Sequence, residues 1–417
     1  MRCAFPPARY ARVMDLILSH TVGLLVAAIL VAIIARRIHL PYTVGLVVAG
    51  IGLALVRVET GVTLTHEFIF DLILPPLLFE AALAIHWTEL RRDALPVLTL
   101  ATLGVLISAV VIAAGMVGIL GWPMPSALVF GVIIAATDPV AVIAMFTDTG
   151  IKGRLRLLVE SESLLNDGVA AVLFALVLAW IQTSSGEAMT TVQVARALVV
   201  TAGGGILVGL VCGGAAIAVA GRTSDHLVET ALTTVAAYGS FLAAEYFHLS
   251  GVLATVAAGL LMGNLGVLGE PEASPLSSRG REFVIAFWEF AAFIANSLIF
   301  LLIGVTVASI PFTWIGSTAV VIAIALVLIG RALSVYPLCL IFTASRWAIP
   351  IREQHILWWG GLRGALALAL ALAMPPSLAW RNEIVVAAFG VVTFSVVVQG
   401  LTMTPLLRRL ALLPKRP

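Results

Sequence analysis

Glu162-Ser163-Leu164-Leu165-Asn166-Asp167-Gly168-Val169-Ala170-Ala171-Val172-Leu173-Phe174 carries an aspartate inside an apolar stretch. The run around it, about 155–182, is long enough to cross a bilayer. A carboxylate held at that depth is costly, which makes an ion or proton site the default reading of Asp167. Glu80, Asp138, Glu162, Arg331 and Arg363 also interrupt hydrophobic runs, each near the middle.

Outward from that stretch, the whole chain has the same character. Its 417 residues are 61% hydrophobic and 11% charged, with a mean hydropathy of +1.11. Soluble domains sit near ~45–50% apolar and ~25% charged. Repeated runs of 18 or more apolar residues specify an all-α polytopic membrane protein; a barrel would need short alternating segments. A net charge of +2 carries no message about nucleic acid, and no basic helix or zinc-spaced cluster points to such a partner, so none is expected. Cys3, Cys212 and Cys339 are scattered and read as small hydrophobes, and nothing in the chain calls for a cofactor.

Thirteen spans are expected, at about 14–35, 41–57, 68–87, 94–120, 125–147, 155–182, 191–221, 227–247, 250–266, 284–308, 314–343, 354–375 and 383–407. With the N-terminus outside, sixteen Lys and Arg fall on the inner side and six on the outer, while Arg331 and Arg363 lie within spans. That asymmetry satisfies the positive-inside rule and places the C-terminus in the cytoplasm. Residues 14–410 read as one membrane domain, with 411–417 a short cytosolic tail and no soluble domain attached. Residues 1–13 hold Pro6-Pro7 and three Arg and lack the apolar core of a signal peptide. Translation is therefore expected to begin at Met14.

Two spans look broken. Ala135-Ala136-Thr137-Asp138-Pro139-Val140 places a proline at mid-span, where it removes a donor and clashes with the preceding turn. Trp358-Trp359-Gly360-Gly361-Leu362-Arg363-Gly364 places three glycines around a buried arginine. Spans one to six and eight to thirteen form two inverted six-helix sets, with a break at the fifth place of each. Discontinuous helices at matching positions of inverted halves point to a secondary transporter's binding site near the midplane. Asp138 is suited to the positive N-terminal ends of the half-helices, Arg363 to the negative C-terminal ends.

On span six, Glu162 and Asn166 are four apart, as are Ser163 and Asp167, so the two pairs stack on adjoining strips of one face. Arg331 needs a buried anion, and Glu162 is the natural partner, which leaves Asp167 free; pairing Arg331 with Asp167 instead would leave no free acid. Sodium or lithium is a hard cation that carboxylate, hydroxyl and carbonyl oxygens satisfy. Asp167, Ser163, Thr137 and Glu80 could supply them, and Asp138 is a further candidate. Burial disfavours the charged form of a carboxyl, so proton and metal ion compete for one anion, which suffices for antiport.

Thr137-Asp138-Pro139, Glu160-Ser161-Glu162-Ser163-Leu164-Leu165-Asn166-Asp167-Gly168, Gly360-Gly361-Leu362-Arg363-Gly364-Ala365 and Leu74-Pro75-Pro76-Leu77-Leu78-Phe79-Glu80 resemble the signature segments of sodium/proton exchangers. The likeness is to the electroneutral branch of the cation:proton antiporter superfamily and extends over about 14–410. It implies a homodimer in a bacterial inner membrane. It also implies a mobile core bundle (about 94–182 and 314–407), a dimer panel (about 14–87 and 227–308) and a linker helix (191–221) in an elevator-like mechanism. Ion ligation by Asp167, Ser163, Thr137 and Glu80 and a structural pair Glu162–Arg331 are likewise implied. Asn166-Asp167, in place of two adjacent aspartates, resembles the branch that exchanges one cation for one proton.

Rival readings are a potassium/proton antiporter of the same fold, a channel, and an intramembrane aspartyl protease using Asp138 and Asp167. Neither a selectivity filter nor a Gly-X-Gly-Asp context is present for the last two. Gly205, Gly209 and Gly213 read as a packing ridge. Trp122 and other span-end tryptophans read as interfacial anchors. Asp71, Glu229, Glu245 and Glu289 are candidates for water-filled funnels. N-terminal sequencing of native protein should start at Met14; recovery of residues 1–13 would refute that start site.

Overall fold

The computed structural model describes residues 22–35, 37, 40–56, 64–182, 191–269, 274–310 and 314–413. The expected extension at 1–13 and the tail residues 414–417 lie outside them. Among the described residues the chain is helical, with no strand. The helices are α1 (Val22–Ala35), α2 (Tyr42–Leu55), α3 (Leu74–Leu83), α4 (Ala94–Leu120), α5 (Met124–Ala135), α6 (Val140–Thr149) and α7 (Arg154–Gln182). They continue as α8 (Thr191–Ala220), α9 (His226–Tyr246), α10 (Gly251–Val267), α11 (Ser278–Ser309) and α12 (Trp314–Ile341). The last three are α13 (Ile351–Trp359), α14 (Ala365–Ala373) and α15 (Arg381–Arg409). Among the described residues, eight segments are long and apolar enough to span a membrane, the one at Met124–Thr147 including both α5 and α6, and Val22–Ala35, Tyr42–Leu55 and Gly251–Val267 are shorter apolar helices.

Both expected breaks are present. α5 stops at Ala135 and α6 begins at Val140, with Ala136 extended between them. α13 stops at Trp359 and α14 begins at Ala365. π-helical turns at Phe68–Ile73, Leu100–Gly104, Gly263–Val267 and Ser395–Gln399 widen four other helices. Nothing in composition or periodicity announced them.

The helices fall into two packing groups. One contains α4 to α7 and α12 to α15; the other contains α2, α3 and α8 to α11. Within each group, small residues let backbones touch. A Cβ on Gly209 of α8 would lie 2.0 Å from the carbonyl oxygen of Ala254, and one on Gly304 of α11 would lie 2.1 Å from that of Val47. Gly131 of α5 approaches the Ala109 carbonyl in the same way, at 2.4 Å. Between the groups, glycines meet side-chain ends instead: Gly168 of α7 faces Leu253, and Gly400 of α15 faces Val44.

Two expectations are corrected by packing. Glu229 lines no funnel: it is fully buried, and its carboxylate accepts from the Ser277 backbone N–H at 3.0 Å and the Ser277 hydroxyl at 2.9 Å. It thereby holds the start of α11, an anion at a helix N-terminus. Trp122 is no lipid-facing anchor, since it is 3% exposed and packs on Phe130 and Trp380 with ring centroids 5.6 and 5.8 Å away.

The ridge Gly205, Gly209 and Gly213 lies along Ser250, Ala254 and Ala258. A branched side chain at its centre must push two backbones apart, an overpacking cost of about 1–3 kcal/mol or more. Gly209→Val should lower the melting temperature and folded yield in detergent. Gly203→Val, where a Cβ meets nothing within 4 Å, should leave both unchanged.

Candidate functional site

The two breaks meet each other. The backbone N–H of Asp138 donates to the carbonyl of Leu362 at 2.8 Å, joining the two non-helical segments. Asp138 Oδ1 accepts from the Val140 N–H at 2.9 Å, and the same carboxylate faces the Ala365 N–H. One side chain therefore serves the N-termini of both α6 and α14, where exposed N–H groups favour an anion. Gly364 is what permits the approach, because a Cβ there would sit 1.8 Å from Asp138 Oδ2.

Thr137 is clamped by α7. Its N–H donates to Asn166 Oδ1 at 3.1 Å, its Oγ1 accepts from Asn166 Nδ2 at 2.6 Å, and its Oγ1 lies 3.0 Å from Ser163 Oγ. Ser163 also donates its hydroxyl to the Thr137 carbonyl. The i, i+4 spacing that stacks Glu162 under Asn166 continues this web, with Asn166 Nδ2 3.2 Å from Glu162 Oε1. Asn166 thus acts on the unwound segment through its amide, with both ends engaged.

Arg331 of α12 makes two parallel bonds to Glu162, Nη1 to Oε1 at 2.8 Å and Nη2 to Oε2 at 2.7 Å. The pair is 5% and 3% exposed. Arg331 also donates to the Leu357 carbonyl from Nη2 at 3.0 Å, at the end region of α13. This fork geometry is the strong form of an arginine–carboxylate contact. Arg363 lies close by. A Cβ on Gly361 would be 2.7 Å from Arg331 Nε and 3.2 Å from Arg363 Nη1, so the glycine separates two guanidinium groups. Arg363 donates from Nη1 to the Gly361 carbonyl, while its buried Nε and Nη2 have no partner. Its backbone N–H donates to Ser395 Oγ at 2.8 Å, and Gln399 Nε2 donates to the Trp359 carbonyl at 2.9 Å. The π-helical turn of α15 therefore supplies the second break with a hydroxyl and an amide.

Asp167 forms none of these bonds and no ion pair. With Glu80 of α3 and Asp138 it lines a cavity of about 70 Å³, closed by Leu74, Leu164, Gly364 and Asn296 of α11 among others. A water needs roughly 10–15 Å³, so the space holds several waters or a small hydrated cation. Thr137 and Ser163 are bonded to each other just outside that lining, not in it. Among the described residues, no three His, Cys, Asp or Glu side chains converge as a transition-metal set. A larger cavity, about 290 Å³, is lined by His66, Glu245 and His248 but by one carboxylate only.

The sequence reading missed Asn296, Ser395 and Gln399. The available signal was weak: isolated neutral polar side chains in apolar runs, in Ala295-Asn296-Ser297 and Ser395-Val396-Val397-Val398-Gln399.

A family described as the transmembrane sodium/hydrogen exchanger matches residues 24–409. Over 378 residues the chain is 42% identical to the Na(+)/H(+) antiporter ApNhaP of Aphanothece halophytica, covering 90% of this chain and 71% of that protein. It is 34% identical over 368 residues to the Na(+)/H(+) antiporter NhaH of Halobacillus aidingensis, covering 85% and 86%. In fold it is similar to the sodium proton antiporter MjNhaP1 from Methanocaldococcus jannaschii at pH 8, with a TM-score of 0.75 at 20% identity over 95% of this chain and 99% of that one.

Removing the Glu162 charge strands Arg331 in a site shut off from water, a change that costs about 3–5 kcal/mol in buried pairs. Glu162→Gln should lower the melting temperature strongly. Ion affinity of the surviving folded protein, measured on the same preparation, should change little.

Proposed function

Because this chain belongs to the transmembrane sodium/hydrogen exchanger family, we propose that it exchanges sodium for protons across the membrane, with Asp167 carrying either ion. Its relatives are named as Na(+)/H(+) antiporters, which makes it a transporter and not an enzyme. The observation that carries the assignment to Asp167 is its isolation: every other acidic or amide group of the α7 face is bonded, while Asp167 opens onto a cavity without hydrogen-bond or ionic partner.

The chemistry follows from one carboxylate and two competing cations. A proton or a sodium ion each neutralises one charge, and the residue beside Asp167 is an amide whose ends are occupied, so exchange is 1:1 and electroneutral. Glu80 shares the cavity with Asp167. Ser163 and Thr137, bonded to each other just outside it, would have to exchange that bond for the ion to complete a hard-oxygen set that also suits lithium. Asp138 acts mainly on the helix ends, since its carboxylate is engaged by Val140 N–H. That engagement also argues against a protease dyad, which needs two carboxyls free to share a proton. Arg363 balances the C-terminal ends of the broken helices.

The cavity lies between the two packing groups, with Glu80 and Asn296 on one wall and Asp138 and Asp167 on the other. Displacement of one group against the other would change the side to which it opens, an elevator-like alternation. The chain acts as a homodimer in a bacterial inner membrane, in sodium and pH homeostasis.

Purified protein in proteoliposomes with an imposed pH gradient should exchange sodium and lithium, and potassium poorly, without responding to a membrane-potential clamp. Asp167→Asn should abolish exchange while still inserting; retained exchange would move the site elsewhere. Since protons occupy the site more fully at low pH, the apparent sodium KM should fall as pH rises. A KM independent of pH would show separate sites.

A further inference from the structure

Among the side chains that line the acidic cavity, one is polar but uncharged. Asn296 of α11 is 6% exposed and lines the space shared by Glu80, Asp138 and Asp167, yet its buried Oδ1 accepts no hydrogen bond. Leaving a buried acceptor unsatisfied costs about 1–3 kcal/mol, so an apolar residue of the same shape would suit this position better unless a partner arrives. The adjoining Ser297 hydroxyl is likewise buried without a partner, whereas Ile299 to Ile303 further along α11 are apolar and buried.

The chemistry of the partner is narrow. An amide oxygen needs a donor or a cation, and ionised carboxylates across the cavity are neither. Phe293, one turn before Asn296, stacks on Tyr42 of α2 with ring centroids 6.2 Å apart, and the Gly50–Gly304 contact locks α2 to α11 on the other side. Asn296 is therefore mounted on a braced helix that shares the cavity with Asp167.

We propose that Asn296 is a selectivity residue for the transported cation, its Oδ1 supplying a neutral ligand oxygen, from the wall opposite Asp167, to the ion held by that carboxylate. This rests on the exchange reading given above. A neutral oxygen strengthens coordination of a dehydrated monovalent ion without adding a second charge that would have to be neutralised. A protonated carboxyl gains at most one hydrogen bond from that oxygen, whereas a metal ion gains a ligand whose fit depends on ionic size.

The test uses full-length protein in proteoliposomes, with sodium, lithium and potassium each titrated under one pH gradient. Asn296→Leu should raise the sodium KM about tenfold, alter the sodium-to-lithium KM ratio, and leave the maximal rate within about threefold. Asn296→Gln, which keeps the amide, should recover part of the sodium affinity. Unchanged KM and ratio in Asn296→Leu would overturn the proposal, as would equal loss of maximal rate for all three ions. Should the leucine variant fail to insert, Asn296→Ala decides by the same two readouts. Wild-type protein that exchanges none of these ions would overturn the underlying exchange reading as well, whereas active wild type with an indifferent Asn296→Leu overturns this inference alone.

Discussion

The structure turns on unwound backbone that cannot be left to lipid. Breaking two helices inside a membrane exposes N–H and carbonyl groups that each cost several kcal/mol if unsatisfied. The two breaks solve this jointly, through the Asp138 N–H and Leu362 carbonyl, through one carboxylate serving two N-termini, and through amides borrowed from α7 and α15. Neither helix could be interrupted alone, since each provides part of the other's bonding.

From that crossing a continuous polar web runs outward. Thr137 is held by Asn166, Asn166 touches Glu162, and Glu162 is bridged by Arg331, which reaches the Leu357 carbonyl beside the second break. The web closes on itself within one packing group. Its effect is to commit Glu162, Ser163 and Asn166 and to leave Asp167 outside. An acid can be left unpartnered in such a place because its surroundings are rigid enough not to collapse onto it.

Charged residues in apolar runs were readable from the chain because they are anomalies there, and so were the breaks, since Pro139 and the glycines around Arg363 cannot sustain a helix. The i, i+4 arithmetic on α7 was enough to put Glu162 with Asn166. Other features depend on which helix faces which, a property no single segment encodes. Glu229 looks like any surface acid until α11 starts against it. Trp122 sits at a span end yet faces inward because Trp380 and Phe130 are there to meet it. Asn296 and Gln399 are uncharged, so they barely disturb an apolar run, although one faces the cavity and the other braces a break.

The placement of glycines has a mechanical consequence. Inside the packing groups, backbone rests on backbone at Gly209, Gly304 and Gly131, while Gly115 and Gly390 meet the side chains of Leu326 and Val320. At the seam between groups, Gly168 rests on the flexible tip of Leu253, and Gly400 on a methyl of Val44, whose branched side chain is stiff in a helix. A side chain added at Gly209, Gly304 or Gly131 therefore has nowhere to go, whereas one at Gly168 asks only for a new rotamer of Leu253.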